Sequence, residues 1–93
     1  MLFSLHCVDK PEGLPIRKEN RPAHLEYLEK HLDALVFAGP TLTDDGESPT
    51  GSLIIISVED RAAAEAFAAG DPYALAGVFE SVTIQATRQV YPK

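Results

Sequence analysis

The chain has a single cysteine, Cys7, among its 93 residues, so no disulfide can form within it. A reducing cytoplasm is the simpler setting for such a chain. Basic residues are scarce as well: eight lysines and arginines stand against fourteen aspartates and glutamates, a formal net charge of −6. That balance argues against nucleic acid and anionic membrane as partners, because both need a basic patch to displace counterions. The basic residues that do cluster, Lys10, Arg17, Lys18 and Arg21, are interleaved with Glu12 and Glu19 and read as a mixed solvated face. Long apolar runs are missing too. Met1 to Val8 is apolar but short, lacks a basic stretch before it and runs straight into Asp9-Lys10-Pro11, so neither a signal peptide nor a membrane span is expected.

Several chemistries are excluded by missing motifs. No Gly-x-Ser-x-Gly elbow supports a serine nucleophile, and no Gly-rich run ending in Lys-Ser or Lys-Thr would cradle a phosphate. A metal site is not expected. His24 and His31 are seven residues apart, about 10.5 Å along a helix, too far to share an ion held at bonds near 2 Å. His6 and Cys7, as strand neighbours, point to opposite faces.

What remains is an ordered globular composition, 45% hydrophobic and 24% charged. A chain of this length makes one domain, residues 1–93. Domains this small bury only roughly 60 to 65% of their unfolded surface, so association with a second copy would help, and a homodimer is expected.

Met1 to Val8 alternates like a strand, and Pro11, Gly13 and Pro15 mark a loop. Helical spacing starts near Arg17 or Pro22 and runs to about Leu32, with Leu25, Leu28 and Leu32 on one stripe. Pro22 is expected in the first turn or at a kink, since an interior proline removes a hydrogen bond. Ala34 to Ala38 reads as a second strand closed by Gly39-Pro40, and Ser52 to Val58 as a central strand buried on both faces. Asp60 fits the N-cap of an alanine-rich helix ending at Gly70, and Asp71-Pro72 starts one further turn through Ala76. Val78 to Tyr91 alternates again, with Val82, Ile84 and Ala86 on one face and Ser81, Thr83 and Gln85 on the other. The order is βαββαβ, the ferredoxin-like α+β arrangement with a four-stranded antiparallel sheet. Helices would cover one face, leaving Ser4, His6 and the Ser/Thr/Gln row of the last strand on the other, where a second subunit's sheet could cover them.

Chemically capable side chains begin two of these helical turns: His24 in Arg21-Pro22-Ala23-His24-Leu25 and Asp71 in Ala69-Gly70-Asp71-Pro72-Tyr73. A histidine oriented by a carboxylate forms a general base that works near neutral pH. Structural roles are open to both. His24, at the border of the leucine stripe, could satisfy a backbone carbonyl, and Asp71 before a proline could cap its turn. Capping and pairing are compatible, because a carboxylate can accept from a backbone N–H and an imidazole N–H together. Tyr73, close to Asp71, is a candidate substrate contact or a packing residue. His6 and Ser4 could reach substrate or sit at an interface. His31 suits the dipole at a helix end, and Cys7 reads as a small core residue.

The chain resembles the YCII-related (YciI-like) family of small single-domain proteins. The resemblance is carried by the N-terminal strand with Asp9-Lys10-Pro11, by Arg21 to Leu28, by Phe37-Ala38-Gly39-Pro40, by Gly51-Ser52-Leu53 and by Phe67 to Tyr73 with Gly77-Val78-Phe79-Glu80. It implies a dimeric α+β barrel of ferredoxin-like type and an active site on a histidine and an aspartate, here His24 and Asp71. Lyase-type chemistry on small molecules is among the activities it implies. The function expected is therefore a small-molecule enzyme using this pair for proton abstraction in isomerisation or elimination, with no metal or organic cofactor. The alternative is a non-catalytic dimeric module that binds a small ligand or supports a partner protein.

Overall fold

The computed structural model describes residues 1–93. Its elements are β1 (Leu2–Asp9), α1 (Gly13–Lys30), β2 (Leu35–Leu42), β3 (Pro49–Ser57), α2 (Arg61–Gly70), the short α3 (Pro72–Leu75) and β4 (Phe79–Thr87). The strands form one sheet in the order β2-β3-β1-β4, every neighbouring pair antiparallel. This is the ferredoxin-like α+β topology expected from the element order. No helix is long and apolar enough to cross a membrane.

The alternation of β1 sets the layers. Phe3, Leu5 and Cys7 are buried toward the helices, while Ser4, His6 and Val8 face the other way. Leu5 pairs with Ile54 on one side and Ile84 on the other, so the central layer of the core crosses three strands in one register. Ala64 and Phe67, one turn apart on α2, complete it, and Tyr27 and Leu28 of α1 pack at its edge. Each of the fully buried Leu5, Ile54, Ile56 and Val78 contributes on the order of 2 kcal/mol by leaving water. Gly51 has no room for a side chain, because the Cys7 carbonyl occupies the place of a Cβ.

Helix α1 differs from its sequence pattern. It begins at Gly13, earlier than Arg17 or Pro22, because Pro15 falls in the first turn, where no backbone donor is needed. Pro22 lies inside the helix on its exposed side, where the carbonyl freed by the missing N–H can meet water. Leu25 and Leu32 are exposed, and the residues α1 buries are Gly13, Arg17 and His24. The helix therefore turns a polar face inward. Its main packing partner is α3 rather than the sheet.

Other boundaries also move. β2 continues through Gly39-Pro40 to Leu42, which its edge position permits, since an edge strand leaves some N–H groups unpaired. β3 starts at Pro49, and its Leu53 and Ile55 are only half-buried, because no element covers that face of the sheet. β4 ends at Thr87, short of Tyr91, and Val78, though fully buried, precedes the strand.

Candidate functional site

Asp60 caps α2 by accepting from the Ala63 N–H at 2.9 Å, and α2 ends at Gly70. The chain then turns at Asp71, which caps α3 and accepts from the Tyr73 N–H at 2.9 Å. The same carboxylate oxygen, Oδ1, lies 2.8 Å from His24 Nδ1, with Asp71 2% and His24 8% exposed. An ionised carboxylate only accepts, so a neutral imidazole paired with it carries its hydrogen on Nδ1 and keeps the Nε2 lone pair. Asp71 thus caps and pairs at once, and both residues belong to one chain.

Tyr73 lies flat on the imidazole, ring centroids 3.9 Å apart and planes 9° from parallel. The Arg17 guanidinium stands 4.5 Å from the centroid of the same tyrosine ring. Two groups this near cannot share one face, so Tyr73 is held between Arg17 and His24, which are two turns apart on α1. Arg17 in turn donates through Nε and Nη2 to the two Asp9 oxygens, each at 2.9 Å, and through Nη2 to Ser52 Oγ at 2.9 Å. Asp9 ends β1 and Ser52 lies on β3, so this fork ties α1 to the sheet where apolar packing is thin. Burial works against the Arg17 charge, but the Asp9 carboxylate, with Tyr73 adding to it, raises its pKa above the ordinary arginine value. Burial likewise pushes the Tyr73 hydroxyl above the usual tyrosine range, with the Arg17 and Arg21 charges pulling against that shift.

These side chains wall a cavity of about 400 Å³ between α1 and the β2–β3 half of the sheet. Its polar wall includes His24, Tyr73, Arg17 and Ser52, and its apolar wall includes Leu14, Leu28 and Ile54. The small residues Ala38 and Gly39 on β2 leave the space open. A group of this kind can take a proton at Nε2 from a molecule in the cavity, while Asp71 holds the ring and Tyr73 fixes its plane.

Of the residues singled out from the sequence, His24, Asp71 and Tyr73 come together. Ser4 and His6 do not join them. They lie on the uncovered face of the sheet, because the strand period that buries Phe3, Leu5 and Cys7 turns them away from the cavity. His31 donates through Nδ1 to the Tyr27 carbonyl, 2.8 Å away, and stays outside the cavity lining. Cys7 is buried, with burial first and the Asp71 charge second raising its pKa to about 12. No group of three or more His, Cys, Asp or Glu side chains is placed to hold a metal ion. Sequence reading missed Asp9, Arg17 and Ser52. A signal existed: Arg17, Arg21, His24 and Leu28 recur at steps of four, three and four, one face of a helix.

Fold and cavity together define a ferredoxin-like protein in which a buried imidazole–carboxylate pair meets a space of small-molecule size. The chain belongs to the YCII-related domain family, whose profile matches residues 1–88. It is 38% identical over 98 residues to Protein YciI of Escherichia coli O6:H1, with 98% of this chain and all of the relative covered. An uncharacterized protein of Haemophilus influenzae is 36% identical over 99 residues, again across 98% of this chain and all of the relative. Among solved structures, the 5-chloro-2-hydroxyhydroquinone dehydrochlorinase TftG of Burkholderia phenoliruptrix AC1100, in complex with 2,5-dihydroxybenzoquinone, superposes with a TM-score of 0.87 at 33% identity. That alignment covers 95% of this chain and 94% of the neighbour.

Proposed function

We propose that this chain is a small-molecule enzyme of elimination or isomerisation type, in which His24 Nε2 accepts a substrate proton and Asp71 orients the ring and balances the charge it acquires. The observation that carries this is the 2.8 Å contact between His24 Nδ1 and Asp71 Oδ1 at the wall of the cavity. In elimination, the electron pair left by the abstracted proton forms a new double bond as the leaving group departs, and His24 then returns its proton to solvent. In isomerisation the proton returns to another substrate atom. Support comes from the neighbour of the same fold, which is a dehydrochlorinase with a quinone-type ligand. Tyr73 acts as a positioning residue for His24.

The working form is a homodimer in the cytoplasm. The sheet face that carries Phe37, Leu53 and Ile55 beside Ser4, His6 and Thr83 is open in one chain, and a second copy of the same face would cover it.

The test is anaerobic incubation with 5-chloro-2-hydroxyhydroquinone and with a panel of small keto and hydroxy acids. Chloride release and solvent deuterium uptake into the substrates are recorded. Turnover that is lost in His24→Gln supports the assignment. Ligand binding without turnover or exchange on any compound would make the chain a binding module instead, and turnover unchanged in His24→Gln would remove His24 as the base.

A further inference from the structure

The cavity has a charge character opposite to that of the chain. Three of the eight lysines and arginines, Arg17, Lys18 and Arg21, line it, and none of the fourteen aspartates and glutamates does. Arg17 is matched by Asp9. Lys18 and Arg21 form no ion pair with any carboxylate of the chain, although acidic residues outnumber basic ones nearly two to one. Even with Asp9 and Asp71 counted behind the wall, the side facing the cavity is net positive. The Arg21 charge is felt within it, since it acts on the Tyr73 hydroxyl. Leu25 and Leu28 on the same helix, with Pro40 and Ile54 of the sheet, supply an apolar surface to the cavity. A volume of about 400 Å³ is at the small end of the roughly 300–1,000 Å³ range of ligand sites.

We infer that the cavity takes a small organic oxyanion, a carboxylate or an ionised phenol or enol on a compact apolar body, with Arg21 and Lys18 reading the negative oxygen. This rests on the proposed function in one respect, that the bound molecule is the substrate presented to His24. Arg21 precedes His24 by three residues on α1, so an oxygen held at Arg21 places the adjoining carbon skeleton along the helix face that carries the imidazole. Lys18 and Arg21 are left free on the wall of this cavity.

Isothermal titration calorimetry on the intact protein tests this with two anions, benzoate and 2,5-dihydroxybenzoquinone, against benzamide as the neutral isostere of benzoate. Binding of at least one anion, at least tenfold tighter than benzamide and weakened by raising salt from 50 to 500 mM, is expected. Arg21→Gln should weaken that anion about tenfold and Lys18→Gln about threefold, with benzamide unaffected. Both positions are exposed, so folding is expected to survive, and thermal unfolding checks it. Preference for 2,5-dihydroxybenzoquinone identifies an ionised enol as the ligand chemistry, and preference for benzoate a carboxylate. His24→Gln should keep anion affinity within threefold, which separates binding from proton transfer. Selective anion binding without turnover on any compound would remove the enzymatic reading and leave this one standing. Turnover confined to neutral molecules, equal affinity for benzamide, no binding of either anion, or an Arg21→Gln protein that binds as the wild type would overturn it.

Discussion

Tyr73 lies face to face with His24, 3.9 Å between ring centroids, and Arg17 closes the tyrosine's other side. The imidazole is therefore fixed twice, at its edge by Asp71 and across its plane by Tyr73. Removing the ring by Tyr73→Ala should cost about 3 to 5 kcal/mol, the range for large buried aromatics. Tyr73→Phe keeps both stacked faces and should stay within about 1.5 kcal/mol of the wild type. Urea unfolding distinguishes the two. If Tyr73 positions His24, a Tyr73→Leu protein that remains folded should lose about 10²-fold in turnover, read in kcat more than in KM.

His24→Gln should lower turnover by about 10² to 10⁴, the span of general acid–base contributions. Asp71→Asn is the sharper variant. Asparagine can still accept from the Tyr73 N–H, so stability should change by less than about 1 kcal/mol. Its neutral amide cannot balance a charged imidazole, so turnover should still fall. Steady-state kinetics beside denaturant unfolding would show the split; an Asp71→Asn protein with full activity would reduce Asp71 to a cap.

Much of this architecture is legible in the residues. The alternation of Phe3, Leu5 and Cys7 against Ser4 and His6 fixes the faces of the sheet, and Asp60 and Asp71 mark two helix starts by their capping chemistry. His24 and Asp71 are 47 residues apart, and the motifs around them single them out before their contact is known. The inward face of α1 was harder to read. Leucine spacing points to Leu25 and Leu32 as core, yet both are exposed, because the helix is held by the Arg17 fork and by α3 and not by an apolar stripe. Arg17 looks like one member of a solvated basic cluster. Only the three-dimensional approach of Asp9 and Ser52, at separations of 8 and 35 residues, gives it a buried partner set. Gly39-Pro40 signals a strand end by composition, and only the position of β2 at the sheet edge overrules that signal.

The Asp9–Arg17 pair carries its own prediction. Both side chains are 7% exposed, so removing one partner strands a buried charge. Asp9→Ala should therefore destabilise the protein by about 3 to 5 kcal/mol. Replacing both, Asp9→Leu with Arg17→Met, should recover most of that loss, since apolar residues of similar volume often substitute for a buried ion pair without net cost. A double-mutant cycle by urea unfolding measures this. A pair worth nothing in the cycle would mean that α1 is held to the sheet by other contacts.

Cys7 gives a pH dependence with a defined sign. Its folded pKa is raised from 9.0 to about 12, chiefly by burial, so the native state holds the thiol proton more tightly than the unfolded chain does. The associated stability is present below about pH 9 and is lost progressively as pH rises toward 12. Urea midpoints should fall between pH 8 and pH 10, and Cys7→Ala should remove part of that fall. At pH 8 the native thiol should resist a disulfide reagent that reacts readily in urea.

The open sheet face supplies the last test. Thr83 on β4 pairs with His6 on β1, and His6 pairs with Leu53 on β3, so these three residues cross the middle of that face. Phe37 on β2 and Ile55 on β3 add apolar surface beside them, Phe37 being 51% exposed. If two copies meet here, Thr83→Glu places a charge in the covered face among apolar residues, with no lysine or arginine on β1 or β3 to offset it. Analytical ultracentrifugation should then show a monomer where the wild type is a dimer. A Thr83→Ser protein, which keeps the hydroxyl, should remain dimeric. A Thr83→Glu dimer as tight as the wild type would move the interface to another surface and leave this face to a different partner.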